Sequence, residues 1–572
     1  MNRPTRTVVI VGGGTAGWIT ANLIAAEYPG RGENSASSPT REPTPSESPG
    51  RGENSVRVVL VESPDIPTIG VGEGTWPSMR TTLQRIGLSE DVMVRATDAS
   101  FKQGTRFFGW SANGGGHAGI DDSDLRNGNE GGNSGGDRAD TYIHPFSLPV
   151  EYANLNPARY WLEQGRGAPF ADFVTPQGRV IAHELAPKQL ATPEYAFTVN
   201  YGYHLDAGRF AALLHDHAVG RLGVRYIAGN VRHVETHPDG DIAALALDTG
   251  ERVTGDLFVD CTGQRALFIG GHYGEGFVSV RNLLFNDRAI AVQVPHAAPD
   301  QAIASVTRAT AQPAGWIWDI GLGARRGLGH VHSSAHIGED AAQRALRKYV
   351  ERTSPTTDPD SLTYRTIAFE PGYRKALWIR NCVAVGLSAG FVEPLEASAL
   401  ALIEQSAGFI AQQLPRDRRI MDVAARRFNA KMGYHWQRIV EFLKLHYATS
   451  RRDDSDYWRD NRAADSCPDG LREKLTLWRQ QPPWHEDAPR VDELFPSASY
   501  QYVLYGMGFR PCYTGADQAV YRRMRERADQ AFHGVREQAR RMARLLPTNR
   551  ELVCAIARRA EPGAAQRAQQ GA

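Results

Sequence analysis

The stretch Thr7-Val8-Val9-Ile10-Val11-Gly12-Gly13-Gly14-Thr15-Ala16-Gly17-Trp18 decides the fold. Val8 to Val11 is an unbroken β-branched apolar run, the pattern of a strand buried on both faces. Ile19 to Ala26 then reads as a helix, and the turn between them carries Gly12, Gly14 and Gly17 in Gly-x-Gly-x-x-Gly spacing, with Thr15 and Ala16 inside it. The first glycine permits a tight turn, the second lets backbone approach a pyrophosphate, and the third lets helix pack closely on strand. Alone the pattern is weak; at the junction of an apolar strand and a helix it predicts dinucleotide binding.

Working outward, a second apolar strand, Val58 to Val61, ends in Glu62 and Ser63, and an acid there accepts hydrogen bonds from a ribose hydroxyl. The gap from the glycines is longer than the usual ~20 residues. Removing residues 29–55, where Pro-Gly-Arg-Gly-Glu-Asn-Ser occurs at 29–35 and again at 49–55, restores it. Residues 111–140 are rich in Gly, Asn and Asp. Both segments lack the apolar surface that offsets chain ordering and are read as disordered surface insertions.

Two later strands end in turns: Leu257 to Asp260 before Thr262-Gly263, and Cys382 to Val385 before Gly386-Leu387. Flavoproteins of the two-dinucleotide-binding-domain type enclose one FAD with three such strand ends, so the expected fold is α/β, Rossmann-like and of flavin monooxygenase type. No second Gly-x-Gly-x-x-Gly follows a strand, so reduced flavin is expected from a separate NAD(P)H-dependent reductase. The expected division is a flavin module over 1–410, including substrate-pocket elements, and a mainly helical region over 411–572 that completes the substrate site.

Lys+Arg 65 against Asp+Glu 64 gives no field that draws nucleic acid or an anionic membrane. No run approaches the ~20 apolar residues of a membrane span. The five cysteines form no Cys-x-x-Cys pair, which fits a reducing cytoplasm and no zinc site. His330 and His332 alternate on a strand, but no third ligand arrives with suitable spacing, so no metal is expected. The Arg-rich tail from about Ala516 to Leu546 reads as an amphipathic helix packing across the flavin domain. A homodimer is compatible with all of this.

Five segments together resemble the flavin-dependent halogenases, whose best-known members chlorinate tryptophan. They are 12–18, Ile69-Gly70-Val71-Gly72-Glu73-Gly74-Thr75, Ser100-Phe101-Lys102, Gly315-Trp316-Ile317-Trp318-Asp319-Ile320 and Phe391-Val392-Glu393-Pro394-Leu395-Glu396. The resemblance implies that reduced FAD and O2 form a flavin hydroperoxide, that halide attacks it, and that the hypohalous acid is conducted internally to one aromatic carbon. It implies catalytic roles for Lys102, which activates the halogen as an ammonium or as a haloamine, and for Glu396, which stabilises the cationic ring intermediate and takes its proton. Glu393 reads as a structural hydrogen-bond acceptor. Halide is expected at the backbone N–H groups of Ser398 and Ala399, where the family usually has Thr-Gly. Cofactor contacts are expected at Ile69, Gly70, Val71, Gly74, Val231, Gly263, Gly386, Leu387 and Leu400, besides the first turn, Glu62 and Ser63. Trp316 and Trp318 are expected to keep substrate away from the flavin.

His144 and Phe146 match substrate-pocket positions. The family's Phe-Trp-x-Asn-x-Asn-Tyr-Tyr segment, which clamps free tryptophan, is replaced here by Phe495-Pro496-Ser497-Ala498-Ser499-Tyr500-Gln501-Tyr502. An aromatic wall without polar clamps favours indole or a substituted indole as the acceptor of chlorine or bromine. The alternatives are an FAD-dependent aromatic hydroxylase and a non-catalytic flavin-binding redox sensor.

Overall fold

The structure is a computed structural model and describes residues 4–29, 55–66, 72–111, 140–164, 168–512 and 518–559. Most of both predicted insertions, and Ile69, Gly70 and Val71, lie outside these described residues.

The apolar run that opens the chain becomes the strand Thr7–Val11, in the interior of a six-stranded sheet. It pairs in parallel with Arg57–Glu62 on one side and Leu257–Asp260 on the other. Cys382–Ala384 and Arg225–Ala228 extend the sheet in parallel, and Trp378–Ile379 closes one edge antiparallel. Val8 to Val11 are all buried, as a central strand covered on both faces requires. All three predicted strand ends thus open on one edge of one sheet, as in a Rossmann-like nucleotide fold.

Beside it stands a seven-stranded sheet ordered Arg365–Ala368, Arg288–Pro295, Arg325–His332, Gly315–Gly321, Thr307–Gln312, Gly104–Phe108, Thr141–Pro145. A small sheet of Gly72–Gly74, Gly202–Asp206 and Ser100–Lys102 links the two regions. From Arg418 onward the described residues form helices and no strand, beginning with the 31-residue helix Arg418–Ala448.

The predicted tail helix spans Gln518–Leu545. It buries Phe532 against Phe173 and Tyr160, so it packs on the short helices of residues 157–182 rather than on the nucleotide sheet. Among the described residues no helix is long and apolar enough to cross a membrane, and no cluster of three His, Cys, Asp or Glu could hold a metal. His330 and His332 are buried, and His330 Nδ1 lies 2.9 Å from the Ala342 carbonyl oxygen.

Candidate active site

A cavity of about 670 Å³ opens at the carboxyl ends of the central strands. Gly12, Gly14, Thr15, Ala16, Glu62, Ser63, Val231, Gly263, Gly386, Leu387, Ser398, Ala399 and Leu400 all line it. These come from distant parts of the chain, and only the sheet brings them together. Gly12 has φ +117°, and a Cβ there would meet the Cys261 carbonyl oxygen at 2.1 Å. Gly17 does not line the cavity; a Cβ on it would meet the Gly12 carbonyl oxygen at 1.9 Å, so it serves helix–strand contact. Ser63 donates to Asn230 Oδ1 at 2.6 Å and so is engaged by the protein itself.

The cavity tests whether these residues fit FAD. Nothing lies within 4 Å of a Cβ built on Gly14 or Gly263, so bare backbone faces open space where a pyrophosphate would sit. The Glu62 carboxylate abuts Gly13 at the end of the adjacent strand. The residues fit a dinucleotide. Gly14→Ala is therefore expected to fold with an unchanged Tm but to bind FAD at least about tenfold more weakly, read by flavin fluorescence titration.

The turn after Phe391 lies between this cavity and a set of buried polar side chains. Glu396 (φ +66°) and Ala397 (φ +55°) are successive left-handed residues, each costing ~1–2 kcal/mol in a non-glycine residue. They lead directly into the helix Ser398–Gln412. Ser398 and Ala399, at its unpaired N-terminal amides, face the cavity. The Trp76 indole N–H donates to the Glu396 main-chain oxygen at 2.7 Å and pins the turn.

The Glu396 side chain points away from the cavity lining into a polar knot. Its Oε1 lies 2.7 Å from His144 Nδ1 and 3.2 Å from His446 Nε2, and its Oε2 accepts from the Thr105 hydroxyl at 3.3 Å. Burial would raise this carboxyl, but the two imidazoles outweigh burial and hold it well below the usual carboxylate range.

Lys102 approaches the same turn from the small sheet. A Cβ on Gly74 would lie 2.9 Å from Lys102 Nζ and 3.4 Å from Ala397 Cβ, so these three residues meet at one point. Burial lowers the lysine to about 8, against the opposing pull of Glu396. The Phe146 ring lies 5.5 Å from the ammonium. His204 is on the same face of the small sheet, where burial and then the Lys102 charge keep it neutral. Glu73 lies on the cavity side, and burial followed by Asp206 raises it to about 7.

Glu393 serves a different purpose. It accepts from Trp316 Nε1, Tyr447 OH and Asn286 Nδ2, all at 2.7 Å, so it anchors one indole of the Trp-x-Trp strand. Trp316 is buried, and the Trp318 ring lies against Gly329, where any Cβ would strike it. Neither tryptophan lines the 670 Å³ cavity.

Sequence reading alone misses His446, Thr105, Trp76 and Ser499. Nothing marks His446 among the apolar residues of Phe442 to Tyr447; its role is visible only once its helix lies against the turn.

Residues 50–520 match the family model for tryptophan halogenase. The chain belongs to the tryptophan halogenase family. It is an enzyme of the flavin-dependent halogenase class, and its α/β architecture is that of the family. It is 29% identical to tryptophan 7-halogenase RebH of Lentzea aerocolonigenes, over 96% of this chain and 98% of RebH. It is 30% identical to tryptophan 6-halogenase ThaL of Streptomyces albogriseolus, over 89% of this chain and 91% of ThaL. The crystal structure of the tryptophan halogenase of Shewanella frigidimarina NCIMB 400 superposes with a TM-score of 0.85 at 43% identity, covering 97% of this chain and 98% of that one. This membership sets aside the hydroxylase and redox-sensor readings.

Proposed function

We propose that this halogenase transfers chlorine or bromine to indole or a substituted indole rather than to free tryptophan, with Lys102 and Glu396 as its catalytic residues. The observation that carries the reading is one turn with two faces: Ser398 and Ala399 line the cavity, while the Glu396 side chain lies behind it with Lys102 packed against the adjacent Ala397 and drawn by the Glu396 charge. Reduced FAD, delivered by a separate reductase, supplies with O2 the oxidising power that converts halide to hypohalous acid. The amides of Ser398 and Ala399 hold the halide at the positive end of their helix. Lys102 hydrogen-bonds the hypohalous acid and makes its halogen more electrophilic. Glu396, ionised and fixed by three hydrogen bonds, stabilises the ring cation and takes the ring proton.

The acceptor preference rests on the helix Ser497–Gly506, which carries no charged residue. Four of its polar side chains are engaged within the protein: Ser497 with Tyr152, Ser499 with His144, Gln501 Nε2 with Asn156, and Tyr502 with the Ser147 carbonyl. The buried Tyr500 hydroxyl and Gln501 Oε1 have no hydrogen-bond partner among the described residues. A zwitterionic amino acid would bring an ammonium and a carboxylate that this helix does not match, whereas a flat ring needs only the aromatic surface of Phe146 and its neighbours.

The test is an assay with flavin reductase, FAD, NADH and chloride or bromide, read by mass spectrometry. Indole is expected to exceed tryptophan in kcat/KM by about tenfold or more. Efficient halotryptophan formation would overturn the acceptor assignment.

A further inference from the structure

His446 is fully buried in the helix Arg418–Ala448, between the rings of Phe107, Trp110 and Phe442. Both of its ring nitrogens face acceptors. Nδ1 lies 3.0 Å from the Phe442 carbonyl oxygen, which has no proton to offer. Nε2 lies 3.2 Å from Glu396 Oε1. Making both bonds to an ionised Glu396 takes two ring N–H groups, which is an imidazolium.

His144 differs although it meets the same oxygen. Its Nδ1 lies 2.7 Å from Glu396 Oε1, and its Nε2 lies 2.9 Å from the Ser499 hydroxyl, which can donate. A neutral ring satisfies both bonds. Satisfying all four ring-nitrogen contacts around an ionised Glu396 thus requires one proton beyond a neutral pair of imidazoles, on the His446 side. The charged groups facing His446 are Glu396 and, through electrostatic attraction, Glu393. With side-chain exposures of 0% for His446 and 3% for Glu396, neither group is open to bulk solvent.

We propose that His446 is the proton store of the site, a positioning residue that acts through Glu396. The inference rests on the halogenase reading above. In HO–X the O–X bond breaks, the aromatic carbon forms C–X, and its C–H bond breaks. The stored proton passes through the carboxylate to the departing hydroxide and makes water. The ring proton returns by the same carboxylate to His446. The arene is oxidised by two electrons and the halogen reduced by two, so the imidazolium is restored at the end of each turnover. Glu396 thereby serves first as acid and then as base without a proton crossing the buried wall.

Two measurements test this. In protein labelled with 15N-histidine and free of substrate, both nitrogens of His446 are expected to carry protons at pH 7; a singly protonated ring overturns the proposal. H446Q keeps an N–H donor toward Glu396 but no removable proton. Its kcat for haloindole is expected to fall about 10- to 100-fold while KM stays within about twofold, and a kcat equal to wild type overturns the proposal. Failure of the halogenase reading looks different: wild-type enzyme then yields no haloarene from indoles or phenols, whatever the nitrogen spectrum shows.

Discussion

Lys102→Met is expected to abolish halogenation, leave flavin oxidation running, and stabilise the protein by about 3 kcal/mol at pH 7. The first two effects follow from the position of the ammonium against Gly74 and Ala397, behind the turn rather than on the lining of the cofactor cavity. The third follows from its burial. Burial lowers the lysine from 10.5 to about 8, so the folded state binds its proton less tightly than the unfolded chain does. Below pH 8 both states are protonated and the full cost of the buried charge is present. As pH rises from about 8 to 10.5 the unfolded chain holds more protons, and wild-type stability rises relative to the variant. Denaturant titrations at pH 7 and pH 10 should therefore show a wide gap that narrows. A variant that is less stable than wild type at pH 7 would contradict this account. Retained halogenation would remove Lys102 from the mechanism. In the proposed ammonium route, the halogenation rate of the wild-type enzyme also falls as pH rises through about 8, whereas a haloamine route would make it rise.

Glu396→Gln is expected to lower kcat for halogenation by about 100- to 1,000-fold with little change in fold. The amide is isosteric, and the turn keeps its tie from Trp76 to the main-chain oxygen of residue 396. What disappears is the negative charge to which the proposed mechanism assigns stabilisation of the ring cation and acceptance of its proton. Glu393→Gln is the control. That carboxyl is raised by burial and accepts from Trp316, Tyr447 and Asn286; Gln keeps an acceptor oxygen and removes the disfavoured buried charge, so Tm should not fall and halogenation should stay within about tenfold of wild type. Product mass spectrometry beside thermal melts separates the two outcomes. Equal losses of activity in both variants would mean that Glu396 has no distinct chemical role.

The nucleotide fold was readable because its signals are local. Val8 to Val11 can be buried on both faces only in a covered sheet, and Gly12 and Gly17 stand where backbone from Cys261 and Gly12 leaves no space for a Cβ. Glu62, Gly263 and Gly386 could be assigned to the same site because each follows its own apolar strand. Membership of the halogenase family was readable from the segments around Lys102, Glu396 and the Trp-x-Trp strand only through resemblance, since a lone lysine or glutamate carries no local pattern.

By itself, the sequence determined the α/β class and the glycine turn, because strand pattern and glycine spacing act between neighbouring residues. The cavity, by contrast, exists only once the sheet has brought its strand ends together. Only the tertiary structure decided what surrounds Glu396. His144, Thr105, Trp76 and His446 reach it from four separate elements, and their hydrogen bonds exist only after a seven-stranded sheet, a short turn and a 31-residue helix have packed together. The state of that carboxylate depends on burial and on the imidazoles around it. Those are properties of the assembled interior, where low dielectric makes each neighbouring charge count, and no linear spacing encodes them.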